Sequence, residues 1–240
     1  DLYVNGCLEH DRLYHNNGDG TVEDVTGSAG LDSSGLRNTI GVATGDFDND
    51  GHPDVFVSTW RNLNDAELAR NILFHNNGDG SFTDISEDAG IIEQAFSTGA
   101  TFIDINLDGY LDIYVGNYVE ATGFIYEDNV IVGFDHTCFE NFFYLNNGNG
   151  TFTEMAEEYG INDNGCSLAT IASDFDLDAD SDIMIANDFG EFVVPNGLYE
   201  NDFPNESCID VGELSGADIG LYGMGIASGD YDEDQDMDYY

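Results

Sequence analysis

The chain has 240 residues, 41% of them apolar, enough for a sizeable core in one or two domains. Against 49 acidic residues stand four basic ones, all Arg, for a formal charge of −45. Such a surface excludes nucleic acid, whose phosphates need clustered Lys and Arg, and disfavours anionic membranes; no apolar run is long enough to span a bilayer. In chain order, Asp1-Leu2-Tyr3-Val4 opens a partial unit over 1–30 and leads to the hairpin pattern L-Y-H-N-N-G-D-G-T-V-E-D-V at Leu13–Val25. Asn-Gly between two alternating apolar runs is a two-strand signal. A full unit over about 36–90 follows. Strand A is expected at Gly41–Phe47, then an acidic loop, strand B at Asp54–Ser58, and strands C (Ile72–His75) and D (Phe82–Ile85) around a second Asn-Gly turn. Units over about 96–160 and 166–214 repeat this order, with strands A at Gly99–Ile105 and Leu168–Phe175, and a partial unit over 219–240 begins with Met224–Tyr231.

The acidic loops read D-F-D-N-D-G-H-P-D (Asp46–Asp54), D-I-N-L-D-G-Y-L-D (Asp104–Asp112), D-F-D-L-D-A-D-S-D (Asp174–Asp182) and D-Y-D-E-D-Q-D-M-D (Asp230–Asp238). Asp1 reads as the ninth position of a fifth loop that begins upstream, and both ends carry the start of strand B, an overlap expected of a segment of a longer ring rather than a closed four-bladed one. Four short strands per unit, repeated with no helical pattern, predict an all-β fold: a β-propeller of four-stranded blades, three whole and two partial. In such a meander the acidic loops and Asn-Gly turns share one face. The B–C segments lie on the other and vary in length, Asn117–Asn141 being the longest. A recognition surface is expected there, near Trp60, Arg61 and that insertion.

Carboxylates at positions 1, 3, 5 and 9 of a tight loop supply the hard oxygen ligands that Ca²⁺ takes, with the backbone carbonyl of position 7 as a fifth. The expected ligand sets are therefore Asp46, Asp48, Asp50, His52 and Asp54; Asp104, Asn106, Asp108, Tyr110 and Asp112; Asp174, Asp176, Asp178, Asp180 and Asp182; and Asp230, Asp232, Asp234, Asp236 and Asp238. An EF-hand would need a bidentate Glu at position 12, where Val57, Val115 and Ile185 stand, and flanking helices. Mg²⁺ demands stricter geometry and resists dehydration. Asn106 lowers the charge of the second loop. Ala179 and Gln235 occupy position 6, where Gly would accept a positive φ most easily. The Ca²⁺ role is expected to be structural, clamping strands A and B, and loops without a Glu clamp suit the millimolar Ca²⁺ outside cells.

Other candidates carry less. His15 and His75 share one repeat position with Leu145 and Glu200, which favours a strand-C role; His10 and His136 fall in B–C segments. No zinc-protease, nucleophile-elbow or phosphate-loop motif occurs, and in a chain this acidic no carboxylate pair singles itself out for glycoside chemistry. Of the four cysteines, Cys208 aligns with strand D and reads as a buried thiol, while Cys138 and Cys166 share the long-loop face and could pair.

The combination L-Y-x-N-N-G-D-G-T-F-T-D with G-D-[FY]-D-x-D-G-x-x-D resembles the FG-GAP/VCBS repeats of integrin-α-like propellers. Met224–Asp238 and Asn187-Asp188-Phe189-Gly190 before Leu198-Tyr199 are most similar to the cartilage acidic protein family, whose bacterial members often carry an ASPIC/UnbV module. The resemblance covers essentially the whole chain. It implies a secreted or surface-attached propeller of about seven blades with Ca²⁺ at the A–B loops. The expected function is non-catalytic extracellular recognition or adhesion toward a protein or glycan ligand. The alternative is the scaffold of a secreted polysaccharide-active lyase or hydrolase, which would show a deep pocket of converging polar groups on the B–C face.

Overall fold

The computed structural model describes residues 1–6, 10–31, 37–60 and 70–240. Within these the protein is almost wholly β, its strands paired antiparallel. A three-stranded sheet comes first: β1 (Leu2–Val4), β2 (Arg12–Asn16) and β3 (Val22–Asp24). Three four-stranded sheets follow. One is β4 (Asn38–Gly45), β5 (Asp54–Trp60), β6 (Ile72–Asn76) and β7 (Phe82–Asp84). The next is β8 (Ser97–Ile103) and β9 (Asp112–Asn117) with β14 (Phe142–Asn146) and β15 (Phe152–Glu154). Between β9 and β14 lie β10 (Val119–Ala121), β11 (Phe124–Glu127), β12 (Val130–Phe134) and β13 (Thr137–Cys138). The last is β16 (Cys166–Ser173), β17 (Asp182–Asp188), β18 (Gly197–Asn201) and β19 (Cys208–Asp210), and the short pair β20 (Ser228–Gly229) and β21 (Asp238–Tyr239) closes the chain.

The second strand of each four-stranded sheet explains how the sheets are placed. β5, β9 and β17 read D-V-F-V-S-T-W, D-I-Y-V-G-N and D-I-M-I-A-N-D and are buried almost throughout. A strand buried on both faces belongs to a sheet covered on both sides. Its period-2 alternation then feeds two different cores. Val55 and Val57 pack toward the first sheet with Leu13, while Phe56 packs the other way with Ile113, Val115 and Tyr144. Tyr114 faces onward to Ile183, Ile185 and Tyr199, and Met184 faces Ile226 and Tyr239. Consecutive sheets thus stack face to face, one apolar layer between each pair.

The first strands of the sheets, β4, β8 and β16, lie side by side along one edge of this stack. Backbones come so close there that a Cβ on Gly99 would lie 3.0 Å from the Ala169 Cα and 3.1 Å from the Thr170 N. Polar side chains seal the same region. Asn71 donates to Ser97 (3.0 Å), which donates to Asn117 (2.7 Å). One sheet on, Asn141 donates to Ser167 (2.9 Å), which donates to Asn187 (2.9 Å). All six are buried.

Three features differ from the sequence-based expectation. In the three four-stranded sheets the A strands begin two to three residues earlier than the apolar pattern suggests and end before the acidic loop. Each of these three carries a register shift near its start, and such a bulge hides the true strand start from a period-2 reading. The fourth A strand, expected at Met224–Tyr231, is only Ser228–Gly229. One-turn helices α1 (Ser86–Ala89), α2 (Ala156–Tyr159) and α3 (Gly212–Ser215) follow the last strand of each four-stranded sheet, too short for a 3.6-residue pattern to register. The long B–C insertion is a folded two-part ribbon, β10 with β13 and β11 with β12.

Candidate metal centres at the acidic loops

Each acidic loop joins the first strand of its sheet to the second, and all four fold by the same internal contacts. Position 1 accepts from the backbone N–H groups of positions 5 and 6. Asp46 takes those of Asp50 (3.1 Å) and Gly51 (2.9 Å), and Asp104 those of Asp108 and Gly109 (3.0 Å each). Asp174 takes Asp178 (3.0 Å) and Ala179 (3.1 Å), and Asp230 takes Asp234 and Gln235 (3.0 Å each). Position 3 (Asp48, Asn106, Asp176) accepts from position 5 in the first three loops, and position 5 accepts from position 7 in all four, the donors being His52, Tyr110, Asp180 and Asp236.

Position 9 is different, because it opens a buried strand. Asp54, Asp112 and Asp182 are at most 1% exposed. One oxygen of each accepts from the N–H of position 2, and the other from the N–H of the asparagine ending the third strand: Asn76, Asn146 or Asn201. Asp238 keeps the first of these bonds, to Tyr231 N (3.0 Å). Asp1 accepts from Asn16 N (2.9 Å) as Asp54 does from Asn76.

Ligand-type atoms gather within 4.8 Å of one another in Asp46–Asp48–Asp50, Asp174–Asp176–Asp182 and Asp230–Asp232–Asp234. Asp48 also belongs to a second group with Asp54 and His75. Among the described residues the second loop forms no such group of acidic or imidazole atoms, since an amide stands at Asn106. His75, read from sequence as a strand-C residue, indeed lies in β6. Its Nδ1 is nevertheless 3.2 Å from Asp54 and 3.5 Å from Asp48, and His15 stands likewise 3.0 Å from Asp1. The signal for this was the shared repeat position of the two histidines.

Backbone strain is shared too. Position 4 has positive φ at Asn49 (61°), Leu107 (54°), Leu177 (64°) and Glu233 (66°), and position 6 at Gly51 (89°), Gly109 (88°), Ala179 (79°) and Gln235 (81°). Ala179 and Gln235 therefore keep the loop shape at a steric cost that Gly avoids. Position 7 points at the neighbouring hairpin turn: a Cβ on Gly78 would lie 2.6 Å from the His52 ring, and one on Gly148 3.2 Å from Tyr110. In the third loop that residue is Asp180, buried, with an Oδ1 that meets no hydrogen-bond partner.

Among the described residues no Lys or Arg forms an ion pair with these carboxylates, and His75 stands beside the first loop alone. Burial pushes Asp112 up to about 7 despite two backbone donors, with Asp108 and Asp104 adding to the rise. Burial raises Asp182 to about 6 and lifts Asp54 in the same direction. Asp180 rises to about 7 through burial and then the charges of Asp178 and Asp182. Each loop thus presents acidic oxygens that favour a proton or a cation, and the donor set is the all-oxygen kind that suits hard divalent ions. Adjacent loops are also tied together. Asn146 donates to Phe47 O (2.9 Å), Asn201 to Ile105 O (2.8 Å) and Asn49 to Gly109 O (2.8 Å).

A family model of the FG-GAP-like repeat matches residues 1–57 and 61–115, each span ending inside a second strand. These are FG-GAP-like repeats. Over 98 residues, 40% of the chain, the protein is 34% identical to human cartilage acidic protein 1. It is 35% identical to the same-named protein of Xenopus tropicalis over 79 residues, 32% of the chain. The aligned parts make up 14% and 11% of those relatives, so the repeats here correspond to a small share of longer proteins. Beyond the matched span, the third and fourth acidic loops keep the bonds from positions 5 and 6 to position 1 and from position 7 to position 5.

Proposed function

We propose that the chain is a Ca²⁺-binding, non-catalytic stretch of β-propeller that serves recognition or adhesion outside the cell, toward a protein or glycan ligand. Three whole blades (about 36–90, 96–160 and 166–214) and partial ones at 1–30 and 219–240 make up this reading. The observation that carries it is the gathering of ligand atoms in the loops: buried Asp182 with Asp174 and Asp176, Asp46 with Asp48 and Asp50, and buried Asp54 with Asp48 and His75. Asp46, Asp48, Asp50 and Asp54 with the His52 carbonyl would hold one ion, and the second, third and fourth loops would hold theirs through the corresponding residues. A bound Ca²⁺ neutralises apposed carboxylates and ties the first strand of a sheet to the second. The extracellular setting is supported by the FG-GAP-like repeats, by the Cys138–Cys166 disulfide, which needs an oxidising compartment, and by open loops suited to millimolar Ca²⁺.

Calorimetric titration of the chelator-treated protein tests this. Several ions should bind, and each independent site at a hundredfold over its Kd should add about 2.7 kcal/mol of stability. Binding heat that stays at baseline, together with a melting temperature indifferent to chelator, would overturn the reading.

A further inference from the structure

The insertion between β9 and β14 is the feature the metal loops do not use. Its outer ribbon, β11 and β12, turns at Asp128 and Asn129, both at positive φ as a two-residue hairpin requires. Phe124, Ile125, Tyr126, Val130, Ile131 and Val132 are all exposed on it, between 44% and 62%. This is a contiguous apolar surface on both faces of a protruding hairpin, where an acidic protein would ordinarily place charge. At its base the ribbon continues into β10 and β13, whose Glu120 and Thr137 line a groove of about 500 Å³ together with Gln94, Phe139, Glu140 and Phe142 among others.

The insertion is held firmly. Cys138 is bonded to Cys166 at the start of β16. The rings of Phe134 and His136 lie 4.8 and 4.4 Å from that of Phe189, and the Tyr118 hydroxyl donates to Asp188 at 2.7 Å. A preformed surface binds without paying to order itself.

We infer that this insertion docks a cationic protein segment, its apolar side chains meeting the β11–β12 ribbon and an Arg or Lys entering the groove between Glu120 and Glu140. Charge selects this occupant. Five carboxylates, Glu120, Glu127, Asp128, Asp135 and Glu140, lie in the insertion, and no Lys or Arg does. The groove joins two of them to the Phe139 and Phe142 rings, whose faces attract a cation. A second copy would bring another chain of −45 against this one, and an anionic bilayer would meet the same acids. The inference rests on the recognition reading above and gives it a partner class.

The test uses the whole Ca²⁺-saturated chain at physiological salt and the fluorescent peptide acetyl-Arg-Leu-Arg-Leu-Arg-amide. Its Glu-for-Arg counterpart serves as the control peptide. The Arg peptide should bind and the Glu peptide should not. Glu120→Gln with Glu140→Gln should weaken binding at least tenfold, and Ile131→Ser with Val132→Ser severalfold. Glu23→Gln with Glu213→Gln removes the same charge from exposed sites elsewhere and should change it less than twofold. Equal losses from both charge pairs would reduce the effect to diffuse attraction and overturn the inference. So would dimerisation in sedimentation, or flotation with phosphatidylcholine vesicles, that disappears with the Ile131–Val132 variant. Calcium uptake measured on the same samples separates failure of this inference from failure of the reading beneath it.

Discussion

Glu154 shows how one residue can stand in for two. In the first two hairpins the last strand ends on an aspartate followed two residues later by a hydroxyl. Asp84 accepts from the N–H (3.1 Å) and hydroxyl (2.5 Å) of Ser86, and Ser86 Oγ in turn accepts from Leu73 N (2.9 Å). Asp24 and Thr26 do the same toward Leu13. The third copy has Ala156 in place of the hydroxyl, and the longer Glu154 reaches Phe143 N directly at 3.1 Å while still accepting from Ala156 N. Glu154→Asp should therefore cost about 1–2 kcal/mol in urea unfolding by leaving that N–H without a partner. Adding Ala156→Ser should recover most of it, a coupling that independent sites would not show. A second residue-scale prediction concerns Ala179, whose φ of 79° is one that Gly adopts freely. Ala179→Gly should raise stability by about 1 kcal/mol, read as a melting temperature a few degrees higher in chelator. The sequence announced that position 6 matters, because Gly51 and Gly109 stand there. It did not announce the equally positive φ at position 4, where no Gly stands and Asn49, Leu107, Leu177 and Glu233 occupy the four loops.

At the scale of the element, a strand in this fold is defined by what it faces on both sides. The acidic loops and Asn-Gly turns were legible because their chemistry is local. Carboxylates two to seven residues from the N–H groups they accept fix the loop whatever surrounds it. The Asn–Ser–Asn relays were not legible, since Asn71, Ser97 and Asn117 come from three separate segments of the chain. Asn141 and Asn187 are the most heavily used of these residues, each with three side-chain bonds. Asn141 illustrates the arrangement. It accepts from Asn117 N (2.7 Å) and donates to the Tyr114 hydroxyl (3.0 Å) and to Ser167 (2.9 Å), all buried. Asn141→Ala should cost about 3 kcal/mol, more than its small apolar area implies, because it strands several buried polar groups at once. Urea unfolding monitored by circular dichroism would measure it. Cys208, read as a buried thiol on strand D, lies in β19, partly buried and packed against the core that holds Ile183 and Tyr199. Trp60 stacks on Phe96 (5.8 Å) and Tyr118 (6.5 Å) and so belongs to the packing of the B–C side; Arg61, expected beside it, lies outside the described residues.

For the whole molecule, the governing fact is that acidic groups are buried or crowded at each loop. Asp112 near 7 and Asp182 near 6 hold protons in the folded chain that the unfolded chain, with ordinary aspartates, has already released. Between about pH 4 and pH 7 the folded state thus binds more protons than the unfolded one. Stability without metal must then fall as pH rises through that window. Thermal melts in chelator at pH 5, 6, 7 and 8 should show this fall, and Asp112→Asn should flatten it. On the proposed Ca²⁺ reading the ion would replace those protons, so the gap between loaded and chelated melting temperatures should widen as pH rises. A gap that narrows with pH would contradict the assignment of these carboxylates.

The sequence by itself determined the recurrence of acidic loops and Asn-Gly hairpins and the strands they join, because each loop or turn is written in a short stretch of neighbouring residues. Tertiary structure alone decided which faces of β5, β9 and β17 feed which core, that Cys138 meets Cys166, and that the long insertion stands out as an apolar ribbon above an acidic groove. Those outcomes depend on contacts between segments far apart in the chain. Local pattern carries no record of such contacts until the sheets have stacked.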